Sequence, residues 1–441
     1  MFHPEAAVRF NQRADALRHL MRAVSATPKA SATQYEPYPV SHVDLDNVIG
    51  RITYTDHTID GLGRKVGRLW AVCGEHFGLF GDDYRELTSL AGAMANTPNL
   101  RGRVDVVFLV NEISSWIQAT LEGTSIEDLA THVTRCCQEA VREYEIWVPV
   151  FQVHASDPFV IGDVSFHKLT PAVMDCFFNH PPPGPVPDAV RIRRERLRSQ
   201  LQNHLAARVK VVAEKETARA IARSKAERTI ALLRFLSPAN QTPDIQSYCV
   251  PLGRERIEIP TELFVENGEI RQILRGTIEH GPVFWDVDPA RARLPGLLER
   301  LDSLARDHSG DYRRQLYHAL LLYSRNSVAS ETTDKLVFIV VSLESMLLKD
   351  GNEPISKNIG ERLAFLIGSS VEERRAIVRN VDAVYRIRSK FIHHGESTEE
   401  SEVIAEFCVN AWRCFRELLH RIDTMPTKAG LVEELENRKL S

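Results

Sequence analysis

The sequence predicts an α+β protein that is predominantly helical, with a mixed α/β N-terminal region, a long central helix and an all-α helical bundle at the C-terminus. Short apolar runs bounded by turn residues occur only in the first two thirds of the chain. Residues 189–237 contain neither proline nor glycine, which favours a continuous helix. From residue 294 onward, apolar residues recur at the spacing of one buried helix face.

The length and composition are those of a folded protein with several domains. The chain has 441 residues, of which 43% are hydrophobic and 26% are charged. No apolar run approaches the ~20 residues of a membrane span, and the first 24 residues carry charges where a signal peptide needs an apolar stretch. We therefore expect a cytoplasmic location and no membrane contact. Seven scattered cysteines are typical of reduced thiols, and no cofactor or metal site is predicted.

Residues 1–187 are predicted to form an α+β domain with a sensing or regulatory role. Its first ~25 residues have the apolar spacing of an amphipathic helix. Short apolar runs predict strands at 104–110, 146–153 and 159–166. A second helix is predicted over 124–144, with Thr124 and Glu127 as its capping box. Five prolines within 181–187 end the domain.

Residues 188–237 are predicted to form a long basic helix that connects domains. Between 191 and 234 there are ten arginines and three lysines against four glutamates, a net charge of +9. Such a segment could contact a polyanion, but it could equally be a solvated helix, because no aromatic residues interleave for base stacking. The candidate RNA-binding residues are Arg191, Arg193, Arg194, Arg198 and Lys210.

Residues 238–293 are predicted to form a small β-rich segment. Its hairpin signal lies at 264–270, where Asn267 and Gly268 suit a type I′ turn. Residues 294–441 are predicted to form the helical bundle. The apolar spacing places four of its helices at 336–348, 359–367, 371–392 and 403–422.

Several enzyme classes lack their sequence signatures. The chain contains no Walker A sequence, no HExxH, no GxSxG and no paired CxxC. A cluster of glycines at 61–67 misses the spacing of a dinucleotide-binding loop by one residue. Nucleotide-driven chemistry is therefore not predicted.

One arginine interrupts the apolar face of the third bundle helix. The face runs through Ile377, Val381 and Val384, and the next position in this spacing is Arg388. A desolvated guanidinium needs an anionic partner, and Glu344 in the first bundle helix is the internal candidate. A bound phosphate or an interface could supply the same charge.

Two histidines follow this arginine at the end of the same helix. Arg388 could bind a phosphate, and His393 or His394 could transfer a proton, which together suit cleavage of RNA without a metal. The alternative is structural: Arg388 pairs with Glu344, and the histidines interact with the helix C-terminus. An arginine followed by a histidine at this interval recurs elsewhere in the chain, so the spacing alone does not decide between these interpretations.

The segments 343–348, 359–364 and 384–395 resemble the Apea-like branch of the HEPN domains (higher eukaryotes and prokaryotes nucleotide-binding). The resemblance covers residues 312–425. The family motif is an arginine, four to six residues and a histidine, which matches Arg388, Ser389 and His393. The pairs Arg388 with His394 and Arg386 with His393 also satisfy it.

This resemblance implies a homodimer whose HEPN domains cleave RNA without a metal and leave 2′,3′-cyclic phosphate and 5′-hydroxyl ends. Arg388 and His393 would be catalytic, with His394, Ser389, Arg386 and Glu344 in supporting roles. The function predicted is a toxin-like endoribonuclease of anti-phage defence (abortive infection). Its substrate is RNA, with tRNA as one candidate, and a phage-derived trigger is a candidate partner of the N-terminal region. The alternative is a non-catalytic HEPN module for dimerisation or RNA binding with a structural Arg–Glu pair.

Overall fold

A computed structural model of the protein describes most of the chain and has the predicted fold class, a mostly helical α+β protein with a helical C-terminal region. The described residues are 2–24, 57–59, 65–72, 75–124, 127–178, 188–252, 261–266, 269–275, 285–394 and 400–440.

These residues include fifteen α-helices. In chain order, α1 to α15 are Pro4–Leu20, Asp82–Ala95, Val106–Leu121, Leu129–Ala140, Pro171–Phe178, Asp188–Leu201, Lys215–Leu233, Val287–Arg293, Leu297–Arg306, Asp311–Tyr323, Thr332–Leu347, Ile355–Ile367, Val371–His394, Ser401–His420 and Lys428–Leu440.

The same residues include twelve strands in small sheets. In chain order, β1 to β12 are Arg22–Val24, His57–Ile59, Lys65–Val72, Glu75–Phe80, Arg142–Val150, Val153–His154, Phe159–Ile161, Val164–Lys168, Leu205–Ala213, Thr261–Glu266, Glu269–Arg275 and Trp285–Asp286. Two four-stranded sheets have the orders β1-β4-β3-β2 and β5-β9-β8-β7, while β10 pairs with β11 and β12 pairs with β6.

The chain separates into two compact units. Unit 1 comprises Met1–Tyr144 with Lys210–Ile221, and unit 2 comprises Glu145–Val209 with Ala222–Ser441. The predicted division into domains stays a prediction, with the ranges 1–187, 188–237, 238–293 and 294–441.

Unit 1 contains a core formed by its first four helices. α2 packs against α1 and α3, and α4 packs against α1 and α3. The buried faces include Leu17 of α1, Leu87 of α2, Ile113 of α3 and Val133 of α4, all with 0% exposure. The predicted amphipathic helix near the N-terminus is confirmed as α1, with Phe10, Ala14 and Leu17 buried.

Two predictions in this region are wrong. Residues 106–110 begin helix α3 instead of forming a strand, because the Asp105 carboxylate accepts a hydrogen bond of 2.7 Å from the Phe108 N–H and caps the helix. The predicted helix over 124–144 begins later, at Leu129, where Asp128 accepts from the Thr131 N–H. It also ends earlier, because strand β5 follows from Arg142.

The strands predicted at 146–153 and 159–166 are confirmed. The first range overlaps β5 and β6, and the second overlaps the hairpin of β7 and β8.

The predicted continuous helix over 188–237 is also wrong. The segment folds as α6, strand β9 and α7. Asn203 takes a positive φ of 70°, a conformation that asparagine tolerates better than most residues, and the chain leaves the helix there. Along β9, buried Val209 and Val211 alternate with Arg208 and Lys210, the two-residue period of a strand. The strand lies between β5 and β8, so the pairing of a sheet overrides the helical preference of this composition.

The strands predicted at 264–270 are confirmed as the antiparallel pair β10 and β11. The proposed turn residues Asn267 and Gly268 lie outside the described residues. Among the helices of the described part of the chain, none has both the length and the apolar character needed to cross a membrane.

The C-terminal bundle contains the four predicted helices as α11, α12, α13 and α14. α12 packs against α13, and α11 packs against α10, α12 and α13. Along α14, the buried face includes Ile404, Cys408, Ala411, Phe415 and Leu418, as the spacing predicted.

A buried ion cluster fixes α12 within this bundle. The Arg362 side chain is 4% exposed, and its guanidinium donates to both carboxylate oxygens of Glu353, at 2.6 and 2.8 Å. It also donates to the Glu436 carboxylate of α15 and to the Leu347 carbonyl oxygen at the end of α11, both at 2.7 Å. One guanidinium therefore links three helices and the loop after α11.

We expect Arg362→Ala to lower the free energy of unfolding of unit 2 by about 3 to 5 kcal/mol, because the carboxylates are left without their buried partner. Chemical denaturation followed by circular dichroism measures this change. Arg375→Ala, at an exposed position of α13, is the control and should change the free energy by less than about 0.5 kcal/mol. Equal effects of the two variants would contradict the role of Arg362.

The same cluster predicts a pH dependence. Hydrogen bonds from Arg362, with help from the Lys349 N–H, lower the pKa of Glu353 from 4.5 to about 2. The unfolded chain therefore takes up this proton first as the pH falls, so the contribution of Glu353 is full above about pH 4.5 and is lost towards pH 2. We expect the unfolding free energy of the wild type to fall more steeply below pH 4.5 than that of Glu353→Gln. Parallel curves for the two proteins would contradict this assignment.

Candidate active site

Helices α11 and α13 bring the predicted ion pair together. An Arg388 Nη1 atom lies 3.5 Å from the Glu344 Oε1 atom, and the two side chains are 25% and 19% exposed. The prediction that Glu344 is the internal partner of Arg388 is therefore confirmed. The pair is only partly buried, so one side of it is accessible to solvent.

Tyr385 is a third member of this cluster, which sequence reasoning missed. Its hydroxyl donates to the Glu344 Oε1 atom at 2.9 Å, the same oxygen that Arg388 approaches. Burial, together with the Glu344 charge, raises the pKa of the Tyr385 phenol, so the group remains a donor. The available signal was its position three residues before Arg388, which places both side chains beside each other on α13.

The Arg388 guanidinium retains hydrogen-bonding capacity. A guanidinium has five N–H donors, whereas Arg388 makes one contact, at 3.5 Å, with an acceptor among the described residues. Its Nε atom is buried and has no hydrogen-bond partner there. An anion placed beside this group would satisfy donors that Glu344 leaves open.

The supporting residues Arg386 and Ser389 do not join this cluster. Both are exposed, and the rotation of about 100° per residue along a helix places them away from the face that contains Arg388. Arg388 is therefore the arginine that faces the bundle, as its place in the apolar spacing predicted.

The positions of the two histidines are defined by the backbone of α13. The helix continues to His394, so His393 and His394 follow Arg388 within the same helix. At about 100° per residue, they lie about 140° and about 120° from Arg388 around the axis, in opposite directions. Their side chains and the proposed cap Gly395 lie outside what the structure describes.

The candidate RNA-binding arginines of α6 are largely engaged within the protein. Arg191 pairs with Asp188 and Glu195 of its own helix, and Arg198 pairs with Asp175 of α5. Arg194 donates to the Phe178 carbonyl oxygen at 2.7 Å.

The remaining two candidate RNA-binding residues, Arg193 and Lys210, lie on different elements. Arg193 is exposed on α6, whereas Lys210 belongs to β9, where its Nζ atom lies 3.9 Å from a Glu143 carboxylate oxygen. The sequence-predicted basic segment is therefore divided among separate elements, and much of its charge is balanced by nearby acids.

Comparisons with known proteins give no match for this chain. No protein-family model matches it, and neither a curated protein nor a solved structure matches it. The described fold and cluster define a mostly helical α+β protein with a Tyr385–Glu344–Arg388 arrangement in its C-terminal bundle. The HEPN resemblance stays a prediction.

We expect Tyr385→Phe to lower the free energy of unfolding of unit 2 by about 1.5 to 3 kcal/mol, because it removes a hydrogen bond to a carboxylate. A double-mutant cycle with Glu344→Gln measures the coupling between the two side chains, and we expect at least about 0.5 kcal/mol. Ser389→Ala, at an exposed position of the same helix, is the control. Additive effects of Tyr385→Phe and Glu344→Gln would contradict the coupling.

Proposed function

We propose that this protein is a cytoplasmic, metal-independent endoribonuclease of the HEPN type that acts as a toxin-like effector in anti-phage defence. The observation that supports this function best is the incomplete hydrogen bonding of the Arg388 guanidinium. It lies on the packed side of α13 beside Glu344, yet its contact is long and its Nε atom has no partner among the described residues. A purely structural arginine normally has its donors satisfied when it is withdrawn from water.

In this proposal Arg388 binds the scissile phosphate. Its planar set of donors can bind two non-bridging oxygens and stabilise the negative charge that develops at phosphorus. Glu344 holds the guanidinium in place, and Tyr385 fixes the carboxylate through the same oxygen. Such support improves the precision of a catalytic group without contact with the substrate.

His393 would be the acid–base group, with His394 as the alternative. An imidazole accepts the proton of the ribose 2′-hydroxyl, and the 2′-oxygen attacks phosphorus. The bond from phosphorus to the 5′-oxygen breaks, and that oxygen takes up a proton. The products are a 2′,3′-cyclic phosphate and a 5′-hydroxyl end.

The homodimer is part of this proposal. Because positions 388 and 393 lie about 140° apart around α13, one straight helix does not bring them to the same side. Two copies of the bundle that face each other would allow the arginine of one subunit and the histidine of the other to meet on one phosphate. The RNA, with tRNA as one candidate, would then occupy the cleft between the subunits.

The rest of the chain would regulate or extend this activity. Exposed Arg193 could add a salt-dependent contact with the RNA backbone. The internal pairs of Arg191 and Arg198 reduce what α6 can contribute. The N-terminal region would respond to a phage-derived trigger.

A second function, dimerisation or RNA binding without cleavage, is favoured by one observation. Tyr385 and Arg388 both contact the same Glu344 oxygen, so the three side chains form one connected cluster. In that case Arg388 would stabilise the bundle and have no role in chemistry.

We expect Arg388→Ala and His393→Ala each to reduce RNA cleavage by at least about 10²-fold, through loss of charge stabilisation and of proton transfer. The purified full-length protein is incubated with total cellular RNA in the presence of EDTA, and the end groups of the fragments are determined. Arg375→Ala, at an exposed position of the same helix, is the matched control and should retain activity, while His394→Ala tests the alternative acid–base group.

Three outcomes would contradict parts of this assignment. Equal cleavage by the wild type and Arg388→Ala would exclude this site. Loss of activity in His394→Ala with retention in His393→Ala would transfer the acid–base role to His394. RNA binding by the wild type without cleavage, combined with a lower melting temperature of Arg388→Ala, would support the second function.

A further inference from the structure

Unit 1 contains a cluster of three side chains with different donor atoms. Glu112 lies on α3, and His132 and Cys136 lie one turn apart on α4. The His132 Nε2 atom is 3.6 Å from the Cys136 Sγ atom and 3.5 Å from the Glu112 Oε2 atom. All three donor atoms lie within 4.8 Å of one another.

Two of the three separations, those from His132 to Cys136 and to Glu112, match the edges of a tetrahedral zinc site. With Zn–N near 2.05 Å and Zn–S near 2.3 Å, the nitrogen and sulfur ligands of a tetrahedron are about 3.6 Å apart, and nitrogen and oxygen ligands are about 3.3 Å apart. The observed distances of 3.6 and 3.5 Å therefore need little adjustment for a cation to bridge His132 to Cys136 and to Glu112, and the third separation is within 4.8 Å. Imidazole, thiolate and carboxylate are the ligands that zinc takes in proteins.

A second observation points independently to a metal ligand. The other ring nitrogen of His132, Nδ1, lies 3.1 Å from the Glu127 Oε1 atom. In the neutral ring, a carboxylate that accepts the Nδ1 proton leaves the Nε2 lone pair towards Cys136 and Glu112, which is the arrangement that typically supports a zinc-bound histidine. Arg135 donates to the same Glu127 oxygen at 2.8 Å and holds the carboxylate in place, although it also lies 3.3 Å from His132 Nδ1.

We propose that Glu112, His132 and Cys136 form a zinc-binding site in unit 1, with Glu127 as the residue that orients His132. The three ligands leave the fourth tetrahedral position to water or to an external ligand. On binding, the Cys136 thiol loses its proton to solvent, and the sulfur becomes a zinc thiolate.

The site joins two helices that contribute to one core. Ile113 next to Glu112, and Val133 and Cys137 on α4, are buried in the core of unit 1. A cation held by both helices would therefore fix α3 against α4 and stabilise unit 1. The site does not depend on the ribonuclease proposal, because all its residues belong to unit 1.

Cobalt(II), a spectroscopic substitute for zinc, tests this proposal with the full-length protein. After treatment with a chelator, we expect one equivalent of Co²⁺ to produce the thiolate-to-cobalt charge-transfer absorption and to be displaced by Zn²⁺. Cys136→Ser should lose the charge-transfer absorption, whereas Cys176→Ser, at an exposed cysteine of unit 2, should retain it. Glu127→Gln should retain the absorption but bind zinc about 10 to 100-fold more weakly, because His132 loses its orienting partner.

Two results would overturn the site. One is equal charge-transfer absorption in Cys136→Ser and the wild type, and the other is no stoichiometric binding by the wild type. Circular dichroism of each variant checks that it is folded, and the conservative variants Glu112→Gln and Glu127→Gln keep the test decisive if Cys136→Ser does not fold. Wild-type affinity in both glutamine variants would exclude this ligand set.

Discussion

Charged groups that are withdrawn from water organise the helical bundle, because each needs partners inside the protein. Arg362 and Lys335 are both buried. Arg362 makes four hydrogen bonds to two carboxylates and a carbonyl oxygen, and it joins three helices. Lys335 donates to the carbonyl oxygens of Pro243 and Ile245, so a segment without regular structure is attached to α11. Removal of such a partner leaves an uncompensated charge, which costs more than the loss of an apolar contact of the same size.

Arg388 differs from Arg362 in its hydrogen bonding. Arg362 has four hydrogen bonds of 2.8 Å or less, whereas Arg388 has one contact of 3.5 Å and a buried Nε atom without a partner among the described residues. Both arginines interrupt the packed side of a bundle helix, but Arg362 has partners for four of its five donors and Arg388 for one. This contrast distinguishes an arginine that stabilises the fold from one that can receive an anion, and it is why the proposed function is centred on Arg388.

The two proposed sites use different chemistry in different units. In the proposed ribonuclease, Arg388 would act through a fixed positive charge and a histidine through proton transfer, without a metal. The cluster around His132 has the mixed donors and short separations that suit zinc. A chelator would therefore affect unit 1 without removing a group from the proposed ribonuclease site. In both clusters a carboxylate orients the functional side chain, Glu344 for Arg388 and Glu127 for His132.

The sequence by itself determined the helical C-terminal region and the place of Arg388 on the packed side of its helix, because a 3.6-residue period and a charge on an apolar face are local signals. It offered Glu344 as a candidate partner, and the packing of α11 against α13 brought the two side chains together. It could not locate Tyr385 at Glu344, nor Glu112 beside His132 and Cys136, because partners on different helices meet only after the helices pack. Tertiary structure also decided that 205–213 is a strand, since its hydrogen bonds are made with neighbouring strands whose positions no local pattern records. Local periodicity thus specifies which faces are buried, whereas packing specifies which side chains meet there.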